Sequence, residues 1–157
     1  MSADLLFQIT NTGVLPVWLL LAVRPGWRWS QIAAFGVAVP LLALTYAAVL
    51  ISLMASGGMA ENPDFGSIDG VQALFSDRYG FVAAWTHYLA FDLFVGAWIA
   101  RDGSTLGLPR LILVPALFFT LMAGPFGLLI YLVFRQVKLR SALAEPLPFA
   151  NKERAHP

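Results

Sequence analysis

Two ionisable side chains, His87 and Asp92, stand inside an otherwise apolar stretch at residues 80–100. An aspartate near the middle of a membrane helix costs about 2.5–3.5 kcal/mol to insert, so a residue of this kind is retained for a reason. Five residues of helix separate the two by ~7.5 Å along the axis and by about 140° around it, so they flank one broad face without stacking. Imidazole is the side chain that titrates near neutrality, and a carboxyl can give or take a proton. Together His87 and Asp92 are candidate catalytic residues for acid–base chemistry beside a cavity, with the roles of acid and base open between them. Trp85 lies seven residues before Asp92, on the same stripe. Gln8 and Asn11, with Thr12, share a face of the first apolar run at helical spacing. Trp85, Gln8 and Asn11 are therefore candidate substrate-binding residues. The structural alternative is that these groups only bridge helices, at about 0.6–2 kcal/mol per contact.

Other chemistries lack their residues. The chain has no cysteine, which removes thiolate catalysis and disulfides. One intramembrane histidine and one aspartate, without Glu-x-x-His or His-x-x-x-His, fall short of a metal site. No glycine-rich phosphate loop and no Gly-x-Ser-x-Gly occurs. Neither a metal nor a cofactor is expected.

The elements that must position these residues are membrane helices. Hydrophobic residues make up 59% of the 157 and charged residues 12%, with a mean hydropathy of +0.72. Soluble domains carry about a quarter charged residues, so lipid must replace the missing polar surface. Four apolar runs, at about 5–23, 31–54, 80–100 and 108–134, are each long enough to cross a ~30 Å hydrocarbon core. The expected fold is all-α, an integral membrane bundle of four transmembrane helices in one domain over residues 1–140. Residues 141–157, with Pro146 and Pro148, read as a mobile tail. The acidic connection 55–79 reads as loop with a short amphipathic helix at 68–75. Pro115, and then Ala123-Gly124-Pro125-Phe126-Gly127, give the fourth run a kink and close approach, which would either open a cavity at membrane depth or only shape the bundle.

A net charge of +1 and the absence of a long basic run exclude nucleic acid as an expected partner. Membrane lipids, and a second copy of the chain or another membrane protein, are expected instead. Residues 1–4 carry no Lys or Arg, unlike a secretory signal or a transit peptide, which points to a multi-pass protein of a bacterial inner membrane. With four crossings, basic residues near the span ends are almost equally divided between the two sides, and both termini are placed in the cytoplasm.

Trp85-x-His87, then Asp92-Leu93-Phe94 and Asp102-Gly103, with Gly124-Pro125-x-Gly127 in the last run, resembles the abscisic-acid-deficient-four-like family. These are small four-helix membrane proteins whose plant members are required to form neoxanthin from violaxanthin. The resemblance covers nearly the whole chain in the number and order of spans, and its motifs lie between Trp85 and Tyr131. It implies a carotenoid or related isoprenoid as substrate or partner, and a cofactor-independent isomerisation of an epoxide to an allenic alcohol. That reaction gives a proton to the epoxide oxygen and removes one from a neighbouring carbon, which is work for groups such as His87 and Asp92. Two functions follow: an isomerase, or an essential partner of one, and a non-enzymatic bundle that binds a pigment or lipid or scaffolds a membrane complex.

Overall fold

The computed structural model describes residues 1–57 and 64–139. The mobile tail expected at 141–157 and the middle of the acidic connection lie outside the described residues. Six helices form among the described residues, and no strand. Helix α1 (Ala3–Val23) starts on Ser2, whose hydroxyl accepts from the Leu5 amide, and is interrupted at Val14, ahead of Pro16. Helix α2 (Arg28–Ser56) carries a wide turn at Ile32–Ala38, where the Val39 amide reaches back five residues to the Ala34 carbonyl. Pro40 has no N–H to continue the ordinary ladder, and the widened turn accommodates that loss. Gly57, at φ 68°, closes α2 in the left-handed conformation that favours glycine.

The short helix expected near 68–75 is present as α3 (Ile68–Leu74). Its start is tied by local bonds: the Ser67 hydroxyl donates to Asp64 Oδ2 (2.6 Å), and the Gly66 amide donates to Asp64 Oδ1 (2.7 Å). These donors hold the exposed Asp64 carboxyl below its ordinary range. Helix α4 (Arg78–Thr105) is capped by Asp77, which accepts from the Tyr79 and Gly80 amides. Helices α5 (Arg110–Ala123) and α6 (Pro125–Leu139) complete the fold.

By length and composition, α1, α2 and α4 can each cross a membrane. The fourth apolar run departs from the single helix expected over 108–134. It is divided into a 14-residue and a 15-residue helix at Gly124, whose φ of 44° and ψ of −103° leave the helical region. Pro125 lacks the N–H that would bond the Leu121 carbonyl, and a glycine before it can turn where other residues cannot. The two helices fold back on each other. Leu113 of α5 and Tyr131 of α6 both press on Gly103 of α4, and Arg135 reaches Asp102 beside the point where α5 begins. A Cβ at Gly127 would meet Thr120 and lie 2.5 Å from the Ala116 carbonyl oxygen, so glycine permits the close crossing. The expected kink is a helical hairpin.

Helix α4 is the hub: 56% of its apolar window is buried, against 28% for α1 and 6% for α2. Helices α1 and α4 run parallel, joined by the Arg78–Asp4 ion pair at one end and by Gly26 against Ser104 at the other. Between these ends the Trp18 ring lies on Gly96. Helix α2 returns antiparallel along α4, with Phe35 edge-on to Phe94 (5.2 Å) and Tyr46 edge-on to His87 (5.4 Å). Leu21, Leu93, Ala97, Ile99, Leu113 and Ala116 form the centre of the core. The outer surface stays apolar, as at Leu19, Leu44 and Leu111.

Candidate functional site

Asp92 sits where α4 meets the turn of the α5–α6 hairpin. It is 8% exposed, and a Cβ on Gly124 would fall 2.8 Å from its Oδ1. The carboxyl therefore occupies space that only a glycine leaves free, at the amino end of α6. Helix amides and the helix dipole favour an anion at that end. Tyr88, one turn earlier on α4, lies beside the carboxyl. Asp92 Oδ2 and the Trp18 indole N–H are nevertheless buried with no hydrogen-bond partner among the described residues. Trp18 packs one turn further along the same α4 stripe, at Gly96.

His87 faces the other way. It is exposed on the α2 side of α4, stacked on Phe91 at 4.6 Å and edge-on to Tyr46. There it lines a cavity of about 380 Å³ between α2 and α4, closed at one end by α3. Leu50, Leu53, Phe65, Leu74 and Phe75 supply apolar walls, and Asp77 lies at the α3–α4 corner. The turn of helix between His87 and Asp92 thus directs one side chain to a lateral groove and the other to the hairpin. The two are not brought to a common cavity, and only Asp92 points into the bundle.

The substrate-binding candidates are divided as well. The Trp85 indole donates to Asn11 Oδ1 at 3.1 Å, which joins α4 to α1. Its ring lies among Phe7, Phe81 and Tyr88. Gln8 is exposed on the outside of α1. Asn11 and Trp85 are partners of each other, and neither lines the His87 groove.

Several participants were not singled out from sequence. Tyr88 has a local signal, four residues before Asp92 and so on the same helical face. Tyr46 and Trp18 have none, since their places depend on how α2 and α1 pack. At the far end of α4, Asp102 accepts from the Tyr131 hydroxyl and from Arg135 Nε (2.7 Å). This network clamps α6 to α4, with Trp98 edge-on to Tyr131 at 5.3 Å. Among the described residues no three His, Cys, Asp or Glu side chains come together as a metal would need.

Trp85, His87, Asp92, Asp102 and Gly124 all belong to the motifs on which the resemblance to the abscisic-acid-deficient-four-like family rests. A family model described as ABA DEFICIENT 4-like matches residues 5–131. The chain belongs to this family. No curated protein and no solved structure matches it. The ABA DEFICIENT 4-like match begins in α1 and ends at Tyr131, so it takes in both polar positions on α4 and the turn of the hairpin.

Proposed function

We propose that this member of the ABA DEFICIENT 4-like family is an integral membrane protein of carotenoid or related isoprenoid metabolism, acting as an isomerase or as the partner that presents substrate to one. In this reading α1, α2 and α4 cross the bilayer. The α5–α6 hairpin enters it and returns, since 14- and 15-residue helices reach only about 21–23 Å. The observation that carries the functional reading is the groove between α2 and α4. It is apolar, of ligand size, and has the imidazole of His87 on its wall. A cyclic end group of an isoprenoid fits such walls, and an oxygen on that group would meet His87.

For an epoxide, the imidazolium would give its proton to the ring oxygen as the C–O bond breaks. A base would remove a proton from the neighbouring chain carbon, and the electron pair of that C–H bond would complete the new double bond. Substrate and product are isomers, so no electrons enter or leave. Tyr46 is positioned to orient the imidazole through its ring edge.

One observation favours the second reading, a bundle that binds a pigment or lipid without transforming it. Asp92 does not share the groove with His87, so the two groups do not face one ligand. The experiment supplies an epoxy-carotenoid to membranes containing the protein, its His87→Gln variant and an Ala84→Trp variant that fills the groove. Catalysis predicts that His87→Gln lowers product per unit of inserted protein by about 10²–10⁴-fold while pigment still co-purifies. Pigment that co-purifies without conversion, and is lost only from Ala84→Trp, establishes the binding reading. Pigment retained by Ala84→Trp removes the groove from both.

A further inference from the structure

A second cavity, of about 580 Å³, lies at the opposite end of the molecule from the His87 groove, between the α1–α2 and α4–α5 connections. Arg24, Trp27, Ser104 and Arg110 line it, above an apolar floor that includes Leu108 and Leu113. The two connections approach closely because residue 26 is glycine; a Cβ there would lie 3.1 Å from that of Ser104. The Arg24 guanidinium is held over the Trp27 ring at 5.6 Å. Among the described residues neither Arg24 nor Arg110 is in an ion pair. Asp102, the acidic residue of this end among those described, is already engaged by Arg135 and Tyr131. Two arginines thus line one cavity beside Ser104, whose hydroxyl donates to the Ala100 carbonyl (2.7 Å), and among the described residues no carboxylate neutralises their charge.

We infer that this cavity binds a phosphate group at the membrane surface, as carried by the headgroup of an anionic phospholipid. Forked guanidinium donors match phosphate oxygens, an indole suits the headgroup depth, and the apolar floor suits the first carbons of an acyl chain. The wider charge pattern agrees. Arg28, Arg101, Arg135 and Lys138 lie at the same end of the molecule, whereas Asp4, Asp64, Asp69 and Asp77 lie at the other. Basic pockets between membrane helices on the positively charged side are sites for anionic headgroups. The inference does not depend on the function of the His87 groove.

The test uses the full chain purified in a neutral detergent, with phosphatidylglycerol, phosphatidylcholine and inorganic phosphate as probes, read by native mass spectrometry and by thermal shift. Phosphatidylglycerol should add one retained lipid and raise Tm, and phosphatidylcholine should do neither. The double variant Arg24→Gln/Arg110→Gln should weaken that binding by about tenfold or more. Arg28→Gln, a charge loss at the same end but outside the cavity, should not. If inorganic phosphate at millimolar concentration gives the same shift, and the double variant loses it, the site stands with soluble phosphate as its occupant. Equal retention of phosphatidylcholine, or unchanged phosphatidylglycerol binding in the double variant, overturns the inference. Should the glutamine pair fail to fold, Arg24→Lys/Arg110→Lys keeps the charge but loses the fork, and must show weakened binding for the site to stand.

Discussion

A single carboxyl and a single glycine define the centre of this protein. Gly124 has a positive φ, and its missing Cβ makes room for Asp92. Gly124→Ala should therefore destabilise on two counts, at roughly 1–3 kcal/mol for the strained backbone and more for the displaced carboxyl. The measurement is the folded fraction of detergent-purified protein on heating. Because the two effects meet at one place, Asp92→Ala in the same chain should restore part of the loss, although Asp92→Ala alone lowers stability. A strictly additive double variant would mean that the carboxyl and the turn do not press on each other. Asp92→Asn separates structure from chemistry at this residue. It keeps shape, so insertion and accumulation should be unchanged, and because Asp92 lies outside the His87 groove product should be unchanged as well; a fall in product per unit of inserted protein would show that its proton is used.

Elements here are joined by glycines that let helices touch. Gly96 takes the outer edge of the Trp18 ring and so sets the distance between α1 and α4, while Gly103 takes Leu113 and Tyr131 and sets the place of the hairpin. Gly96→Ala forces a methyl group against the Trp18 ring, and overpacking of this kind costs about 1–3 kcal/mol. The expected outcome is a lower Tm together with a changed Trp fluorescence. Trp18→Leu should relieve the crowding in the same chain. An unaltered Tm in Gly96→Ala would show that α1 can move aside freely. The α2 wide turn has a different origin, a proline inside a long helix, and it places Phe35 on Phe94 at the depth where α2 crosses α4.

At the scale of the molecule, the proposed re-entry of the hairpin would reverse the expected arrangement of the termini. If α5 and α6 enter and leave on one side, the amino terminus and α6's carboxyl end lie on opposite sides of the membrane. Arg24, Arg28, Arg101, Arg110, Arg135 and Lys138 then share one side, with Arg78 alone among described basic residues on the other. In that arrangement the near balance obtained for four crossings would become a strong bias, and the proposal then predicts the basic side in the cytoplasm and the amino terminus outside. The chain contains no cysteine, so single cysteines report topology directly. In intact cells a membrane-impermeant maleimide should label Ser76→Cys, and should label Thr105→Cys and Gln136→Cys only after permeabilisation. Labelling of Thr105→Cys and Gln136→Cys from opposite sides would restore a single crossing by the last two helices.

Features that depend on local composition are readable from the chain alone. The helical class, the three long apolar spans, the short helix over the acidic connection and the family are all legible there, because apolar run length, caps such as Ser67 and Asp77, and ordered motifs are properties of neighbouring residues. The chain alone also sets the angle between His87 and Asp92, since helical periodicity puts them about 140° apart. Which of the two faces inward was decided by tertiary structure. Helix α4 is covered on one side by α1 and the hairpin, which bury Asp92, and only loosely on the other by α2, which leaves the groove at His87. The same holds for Gly124-Pro125. The pair announces a break, but the size of the bend comes from contacts far along the chain, at Asp92, Gly103 and Asp102, that no local pattern contains. Asn11 and Trp85 were legible as polar or amphipathic groups on inner faces, yet that they bind each other follows from the parallel register of α1 and α4. Periodicity fixes where side chains point around one helix, and packing between helices decides what they meet.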